Sequence, residues 1–483
     1  MKSTLFRAIT AVILAVAMII PVSVLASAAD TPAAGDVTPV IVVSGMMLDG
    51  IKVDPGAENE RQAFNLDVGS IVKAVFKGLF SFSEKKLVSA VGGCVADAFA
   101  DVACGPDGLP ANPDSGVTEY PLSVANYPDL PGYSSEFGLV HSLADRYGAQ
   151  NVYFFFYDWR LDTQYNADKL QAQIELAKSE HNCDKVNVIC CSMGGVVTLG
   201  YLYKYGHSAI NKIIFNSSTY YGTDVATDCL TGNVGFTAET LYNEAKYWGG
   251  KSSKLVGFLC DAGYKLGLFK LVAKMGNRIA TKYNDMLYDE VLVKCFGCLP
   301  GFWALVQPDR YEEAKERIFG GKEADYAGII AIADRLHEIN EQRDEILASA
   351  VADGIQIAFI SGYNIPLAPV YEHCGTQGDG TLETRWISGG ATVADYGKTL
   401  TDEQKAGADA KYISPDNVIN ASTCAYPEYT WFIKNGAHVF GNYGSDSVKI
   451  QIAILDSETQ ATVDTFPEYP RFLVADDAQN FVK

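Results

Sequence analysis

The segment spanning residues 185–201, KVNVICCSMGGVVTLGY, constrains the fold of this chain more than any other. It opens with a β-branched, apolar run of the length that a buried parallel strand needs. Ser192 and two glycines follow at once, and apolar residues then recur at helical spacing. A strand, a tight turn around a serine and a helix is the arrangement that presents a serine hydroxyl as a nucleophile.

The residues around Ser192 must be small, because the serine of such a turn lies on a strained backbone. The following helix begins directly beneath the serine, so the Met193 amide is predicted to donate to an oxyanion. Cys190 stands where the first glycine of the usual G-x-S-x-G pattern would be, and it is small enough to fit. On this segment alone, a serine at an ordinary strand–helix junction stays an alternative.

A serine nucleophile needs a histidine base and a carboxylate that orients it. In the α/β-hydrolase fold the acid and then the histidine follow the serine, on loops after later strands. His438 lies in a glycine-containing turn late in the chain, and Asp379 lies between two glycines that allow a tight turn. We predict these two as base and acid, in preference to the other five histidines and to Glu372 and Glu383.

An earlier apolar strand, residues 40–43, ends at Ser44-Gly45. In a hydrolase sheet the loop after an early strand supplies the second oxyanion amide, for which Met46 is the candidate and Met47 the next. Strand patterns recur at residues 151–157, 210–215 and 355–361. The sequence therefore predicts an α/β-hydrolase fold, with a mostly parallel sheet flanked by helices. Residues 51–130 are predicted as an insertion and residues 222–350 as a helical cap.

The N-terminus predicts export. Lys2 and Arg7 precede an apolar run, and small residues follow up to Ala28, which is the pattern of a signal peptide covering residues 1–28. A retained anchor is the alternative, although the run is short for a membrane span. The mature domain would comprise residues 29–483 and be secreted or otherwise extracytoplasmic.

The 11 cysteines fit an oxidising compartment. Cys190 and Cys191 are predicted to be buried and reduced, and the other nine to be largely disulfide-bonded. Cys295 and Cys298 form a C-x-x-C pair without a second pair or a histidine cluster, so no metal is predicted there. No cofactor is predicted either.

The formal net charge of −20 argues against a nucleic-acid partner and against attraction to anionic lipid by charge. Contact with lipid aggregates or a membrane surface would then rest on apolar burial. The predicted cap contains large apolar residues, most of which should pack on the core while some line an acyl-chain pocket. These residues are Phe258, Leu266, Leu268, Phe269, Leu271, Phe296, Leu299, Phe302 and Trp303.

Several motifs in this order resemble the lecithin:cholesterol acyltransferase (LCAT)-like family: YDWRL from Tyr157, SMGG from Ser192, GDGT from Gly378 and CLPGFW from Cys298. The sequence differs from that family in Cys190-Cys191, where glycine and histidine are usual, and in Ser44-Gly45, where proline–glycine is usual. The resemblance implies a Ser192–Asp379–His438 triad with Met46 and Met193 as oxyanion donors. Asp158 and Arg160, within YDWRL, are expected to tie neighbouring loops together rather than to act in catalysis.

These observations together predict an exported serine hydrolase or O-acyltransferase that acts on lipid acyl esters through an acyl-enzyme. Phospholipase, lipase and acyltransferase activities all fall within this prediction. Two alternatives remain: a general carboxylesterase on the same fold, and a catalytically silent relative that serves as a binding protein.

Overall fold

The computed structural model of the protein describes residues 37–65, 84–130 and 135–482. Its centre is a seven-stranded sheet in which every neighbouring pair is parallel. The order across the sheet is β7-β6-β5-β4-β3-β1-β2. The strands are β1 (Val40–Val43), β2 (Val152–Phe155), β3 (Val186–Cys191), β4 (Ile210–Asn216), β5 (Gln356–Tyr363), β6 (Thr430–Lys434) and β7 (Phe472–Val474).

The apolar runs of the sequence become strands that are buried on both faces. All residues of β1, β2 and β3 are buried, because helices cover both sides of the sheet. From β1 the chain passes outward to β2 and then returns to the opposite side of β1 as β3. The strand order therefore reverses between β1 and β3, which is where open parallel sheets bind ligands at the carboxyl ends of their strands.

The described residues form twelve longer helices beside the sheet, and short helices cover Asn284–Leu287, Pro300–Trp303, Thr384–Ile387 and Asp402–Lys405, with a π-helix at Tyr288–Gly297. The longer helices are α1 (Glu84–Ala98), α2 (Ser135–Tyr147), α3 (Thr163–His181), α4 (Gly194–Tyr205), α5 (Asp224–Thr231), α6 (Ala238–Ser252), α7 (Lys254–Lys265), α8 (Leu268–Lys282), α9 (Tyr311–Phe319), α10 (Ala327–Glu341), α11 (Arg343–Ala352) and α12 (Asp446–Asp456).

The predicted fold class is confirmed: the protein has an α/β-hydrolase-like fold. Between β4 and β5 the described chain contains helices and no strand. Within this region α7 and α8 are separate helices, because Gly267 between them adopts a φ of 75° that ends the first helical path.

The described part of residues 51–130 contributes a small antiparallel sheet and the helix α1 beside the main sheet. The central strand of this small sheet is Lys52–Val53, which pairs antiparallel with Arg61–Gln62 on one side and with Ser115–Gly116 on the other. The predicted signal peptide, residues 1–28, and residues 66–83 of the predicted insertion lie outside the described residues. Among the helices that are described, none combines the length and the apolar character that a membrane span requires.

A buried ion pair joins that region to the main sheet. Arg160 is fully buried and donates two hydrogen bonds to Asp158, from Nε to Oδ1 at 2.9 Å and from Nη2 to Oδ2 at 2.6 Å. The same guanidinium donates to the Ser115 hydroxyl at 2.8 Å and to its carbonyl at 3.1 Å. The expected loop-tying role of Asp158 and Arg160 is therefore confirmed.

We expect Arg160→Leu to lower the free energy of unfolding by about 3–5 kcal/mol, because the Asp158 carboxylate would stay buried without its cation. Urea denaturation of the purified variants measures this change. Arg146→Leu is the matched control, since Arg146 pairs with Asp456 at 2.7 Å on the surface and its loss should cost less than about 1 kcal/mol. Equal effects of the two substitutions would contradict the assignment.

The disulfide prediction is wrong for this structure. All 11 cysteines lie in the described part of the chain, and every one of them is free. Cys190 and Cys191 are fully buried, as predicted, and burial raises the pKa of the Cys190 thiol to about 12. Spacing along the sequence gives no measure of the distance between two sulfur atoms, which depends on how helices and loops pack.

Candidate active site

Ser192 occupies the turn between β3 and α4 with a backbone φ of 47°. A non-glycine residue in this left-handed region is strained and persists where the surrounding structure holds it. The Ser192 carbonyl accepts hydrogen bonds from the Thr219 amide at 2.8 Å and from the Thr219 hydroxyl at 3.0 Å. The turn after β4 therefore holds the serine in place.

The glycines after Ser192 are required by close contact. A Cβ at Gly194 would lie 2.6 Å from the Val43 carbonyl oxygen, and one at Gly195 would lie 2.0 Å from the Ser218 hydroxyl. Cys190, two residues before the serine, is tolerated because its side chain points to β4, with Sγ 3.6 Å from the Ile214 carbonyl oxygen. The departure from the usual glycine is thus accommodated within the sheet.

The structure brings Ser192, His438 and Asp379 together in one chain of hydrogen bonds. His438 Nε2 lies 2.9 Å from Ser192 Oγ, and His438 Nδ1 lies 2.8 Å from Asp379 Oδ2. The three residues follow the carboxyl ends of β3, β6 and β5, respectively, which form one edge of the sheet. The distances are those of a nucleophile, a base and an orienting carboxylate.

The Asp379 carboxylate is fixed by its own turn. Its Oδ1 accepts hydrogen bonds from the amides of Thr381 at 3.0 Å and Leu382 at 2.8 Å, which leaves Oδ2 for His438. Gly362 in β5 allows the two loops to meet, because a Cβ there would lie 2.3 Å from the Gly436 carbonyl oxygen and 2.8 Å from Asp379 Cβ.

The alternative acids and bases have other partners. Glu383 accepts hydrogen bonds from the hydroxyls of Thr223 and Tyr371, and Glu372 is exposed. Four of the remaining histidines lie in other hydrogen bonds or ion pairs: His181 with Tyr153, His207 with Asp353, His337 with Glu341 and His373 with Asp228.

The loop after β1 lies against the serine. A Cβ built on Gly45 would be 2.7 Å from Ser192 Cβ and 3.2 Å from Ser192 Oγ. Met46 follows Gly45, and Met193 follows the serine itself. Neither methionine amide donates a hydrogen bond to any residue that the structure describes. Two unpartnered amides beside a serine hydroxyl are the donors that a developing oxyanion requires.

The YDWRL block is hydrogen-bonded to the loop that follows β1. The Trp159 indole donates a hydrogen bond to the Met47 carbonyl at 3.1 Å. The CLPGFW segment, residues 298–303, packs against the same block, since the Gly301 amide donates to the Arg160 carbonyl at 3.1 Å. A Cβ at Gly301 would lie 2.5 Å from the Met193 side chain. Distant segments of the chain therefore meet at Met47 and Met193.

Glu136, in the first turn of α2, was missed by the sequence reasoning. It is 3% exposed, and its Oε1 accepts a hydrogen bond from the Gly45 amide at 2.8 Å, while no described residue bonds to its Oε2. Burial raises the pKa of Glu136 to about 7, against the opposing effects of the Gly45 hydrogen bond and the His438 charge. The buried carboxyl thus holds the loop that carries Met46.

We expect Glu136→Leu to reduce kcat by about tenfold, because the Gly45 amide would be left buried without an acceptor, at a cost of about 1–3 kcal/mol. Glu136→Gln is the matched control: it keeps an acceptor oxygen and should retain activity within a few-fold. Steady-state kinetics on a soluble ester separates kcat from KM. A Leu variant with full kcat would show that Glu136 does not position the loop.

The electrostatics of His438 suit a base. Burial lowers the pKa of this imidazole, but the charge and hydrogen bond of Asp379, together with the charge of Glu136, raise it further, so that the net pKa lies above its ordinary value of 6.5. The histidine therefore gains a proton more readily than a free imidazole, as transfer from Ser192 requires.

One group of side chains among the described residues has the spacing of metal ligands. Ligand atoms of Asp228, Glu372 and His373 lie within 4.8 Å of one another. Arg310 Nη1 already donates to Asp228 Oδ1 at 2.6 Å and balances its charge. We assign no ion to this group.

No protein-family model matches the chain, and no curated protein matches it. A search of solved structures finds a likeness to "The crystal structure of Tle4-Tli4 complex", with a TM-score of 0.27 and 10% sequence identity. The match covers 67% of this chain and 75% of that chain. The assignment of the fold therefore rests on the strand order and on the site at the carboxyl edge of the sheet.

Proposed function

We propose that the protein is an exported serine hydrolase or O-acyltransferase that acts on the acyl esters of lipids, as the LCAT-like motifs imply. The observation that carries the proposal is the pair of hydrogen bonds joining Ser192 to His438 and His438 to Asp379, at 2.9 and 2.8 Å. A hydroxyl, an imidazole and a buried carboxylate in this geometry activate the hydroxyl for attack on a carbonyl carbon.

In the proposed reaction Ser192 Oγ attacks the ester carbonyl while His438 Nε2 accepts its proton. Asp379 holds the imidazole and balances its positive charge. The amides of Met46 and Met193 donate to the oxyanion of the tetrahedral intermediate. When the intermediate collapses, His438 returns the proton to the leaving alcohol and the acyl group stays on Ser192. Water or an acceptor alcohol then releases the acyl group by the same steps in reverse.

Two features support a lipid ester over a small soluble one. The motifs shared with the LCAT-like family include the YDWRL block, whose Trp159 donates to Met47 in the candidate oxyanion loop, and the CLPGFW segment, whose Gly301 donates to Arg160 in that block. The helical region between β4 and β5 also exposes large apolar side chains, including Phe258 and Leu266, which favour contact with lipid over contact with charged or sugar substrates.

A fluorophosphonate probe tests whether Ser192 is activated, because labelling requires a reactive serine. We expect the wild-type protein to be labelled and Ser192→Ala to be unlabelled. Absence of labelling in the wild type would favour the silent relative.

Substrate class is tested with purified protein on monomeric short-chain esters, on phospholipid vesicles and on vesicles that contain an acceptor alcohol. We expect turnover to rise on lipid, with acyl transfer when the alcohol is present. Turnover confined to soluble esters would assign the protein to the general carboxylesterases.

A further inference from the structure

The helix α7 exposes a stripe of large apolar side chains to solvent. Leu255, Phe258 and Leu259 are 66, 68 and 57% exposed, and their spacing places them on one face of α7. Leu266, which directly follows the last residue of the helix, is 85% exposed. We call these four residues the α7 stripe. The other face of α7 packs on α6, where Tyr264 stacks on Tyr242 with ring centroids 4.3 Å apart.

The exposure of these residues differs from what the sequence predicts for the helical cap. Phe258, Leu266, Leu268 and Leu271 were predicted to pack on the core or to line a pocket, but all four are exposed. In contrast, Leu299, Phe302 and Trp303 are buried in the core as expected. A contiguous apolar face in water marks a surface that is covered by a partner when the protein works.

The charge around the stripe is opposite to that of the chain as a whole. Residues 245–282 contain eight basic residues and a single acidic one, a net charge of +7 in a chain of −20. Lys254, Lys265, Lys270 and Lys274 are exposed and form no ion pair with the residues that the structure describes. The net charge of the whole chain therefore does not describe this segment, which is basic.

We propose that α7 and the start of α8 form a docking surface for a lipid bilayer that carries anionic headgroups. Apolar residues on one face with lysines beside them are the composition of helices that lie in a membrane interface. The stripe would enter the boundary between headgroups and acyl chains, and the lysines would contact the headgroup phosphates. A second copy of this chain is a poorer occupant, because the lysines of two such faces would repel each other.

This inference deepens the proposed function, since it assigns the surface through which a lipid hydrolase meets its substrate. It can fail separately, because binding to vesicles needs no turnover. We therefore test it in the Ser192→Ala background, where the vesicles stay intact. An unreactive protein that still docks would refute the proposed function and leave this inference standing.

The experiment is co-sedimentation with vesicles of phosphatidylcholine alone and of phosphatidylcholine mixed with phosphatidylglycerol. We expect at least tenfold stronger binding to the mixed vesicles, and loss of this difference at high salt. A lysine near an anionic surface contributes about fivefold in binding, so Lys265→Glu with Lys270→Glu should weaken binding by more than tenfold. The control is Lys85→Glu with Lys185→Glu, two exposed lysines outside the segment, which should change binding little.

The apolar contribution is tested by Phe258→Ser with Leu259→Ser, which should abolish most binding to both kinds of vesicle. Leu109→Ser with Val482→Ser is its control, because these side chains are 59 and 57% exposed elsewhere on the surface. Equal binding to neutral and anionic vesicles would overturn the proposal. So would stripe variants that bind as well as their controls, or sedimentation showing that the stripe holds a dimer together.

Discussion

Ser192→Ala is expected to leave the fold intact and to remove nearly all turnover, a loss of about three or more powers of ten in kcat. The physical reason is that, among the residues described by the structure, only the Ser192 hydroxyl lies within hydrogen-bond distance of His438 Nε2, at 2.9 Å. Removing Oγ also releases no buried partner other than the imidazole, so stability should change little. Initial rates on a chromogenic ester and a thermal melt measure the two effects.

Ser179→Ala serves as the control, since this exposed serine on α3 has the same chemistry and lies outside the site. It should keep full activity. A Ser192→Ala protein with activity near wild type would mean that the turn after β3 does not carry the nucleophile.

Asp379→Asn is expected to reduce kcat/KM by about three to four powers of ten. The amide can keep the two bonds from Thr381 and Leu382 through its oxygen, so the loop should keep its shape. Its NH2 group would then donate to His438 Nδ1, which places the imidazole proton on Nε2. A protonated Nε2 cannot accept the proton of the Ser192 hydroxyl. Steady-state kinetics across pH measures the loss.

The same substitution should move the pH profile. His438 must be neutral to act as a base, so wild-type kcat/KM should rise as pH increases through its pKa, which lies above 6.5. Without the Asp379 charge that raises this pKa, the rise in Asp379→Asn should occur at lower pH. Asp402→Asn, at an exposed residue, should reproduce the wild-type profile. An unchanged midpoint in Asp379→Asn would contradict the assigned partner of His438.

The sheet was largely predictable because buried parallel strands read as continuous apolar runs. Residues 40–43 and 210–215 were predicted as strands and form β1 and most of β4. Two strands were missed, β6 (Thr430–Lys434) and β7 (Phe472–Val474), which have five and three residues. β6 has only three apolar residues, Trp431 to Ile433, and β7 is three residues long, so neither shows the continuous β-branched run that marks β1, and their pairing across the sheet decides their structure.

Three residues of the site were predicted from chain order and glycine context, and the structure brings them within hydrogen-bond distance. Glu136 carries no such signal, because an acidic residue in a first helical turn is common and its partner, Gly45, lies 91 residues away in the chain. The exposure of the α7 stripe could not be predicted from the sequence either. Apolar residues at helical spacing normally predict a face that packs on the core, and the sequence does not say which helix faces lack a neighbour.

The segment that follows β7 is needed to hold the loop that carries His438. His438 lies on the loop after β6, a strand held between β5 and β7. The Gln479 side chain accepts a hydrogen bond from the Ala437 amide at 3.0 Å and donates one to the Asn435 carbonyl at 3.3 Å. A growing chain that already contains Ser192 and Asp379 therefore has no fixed base until residue 479 has been synthesised and has docked.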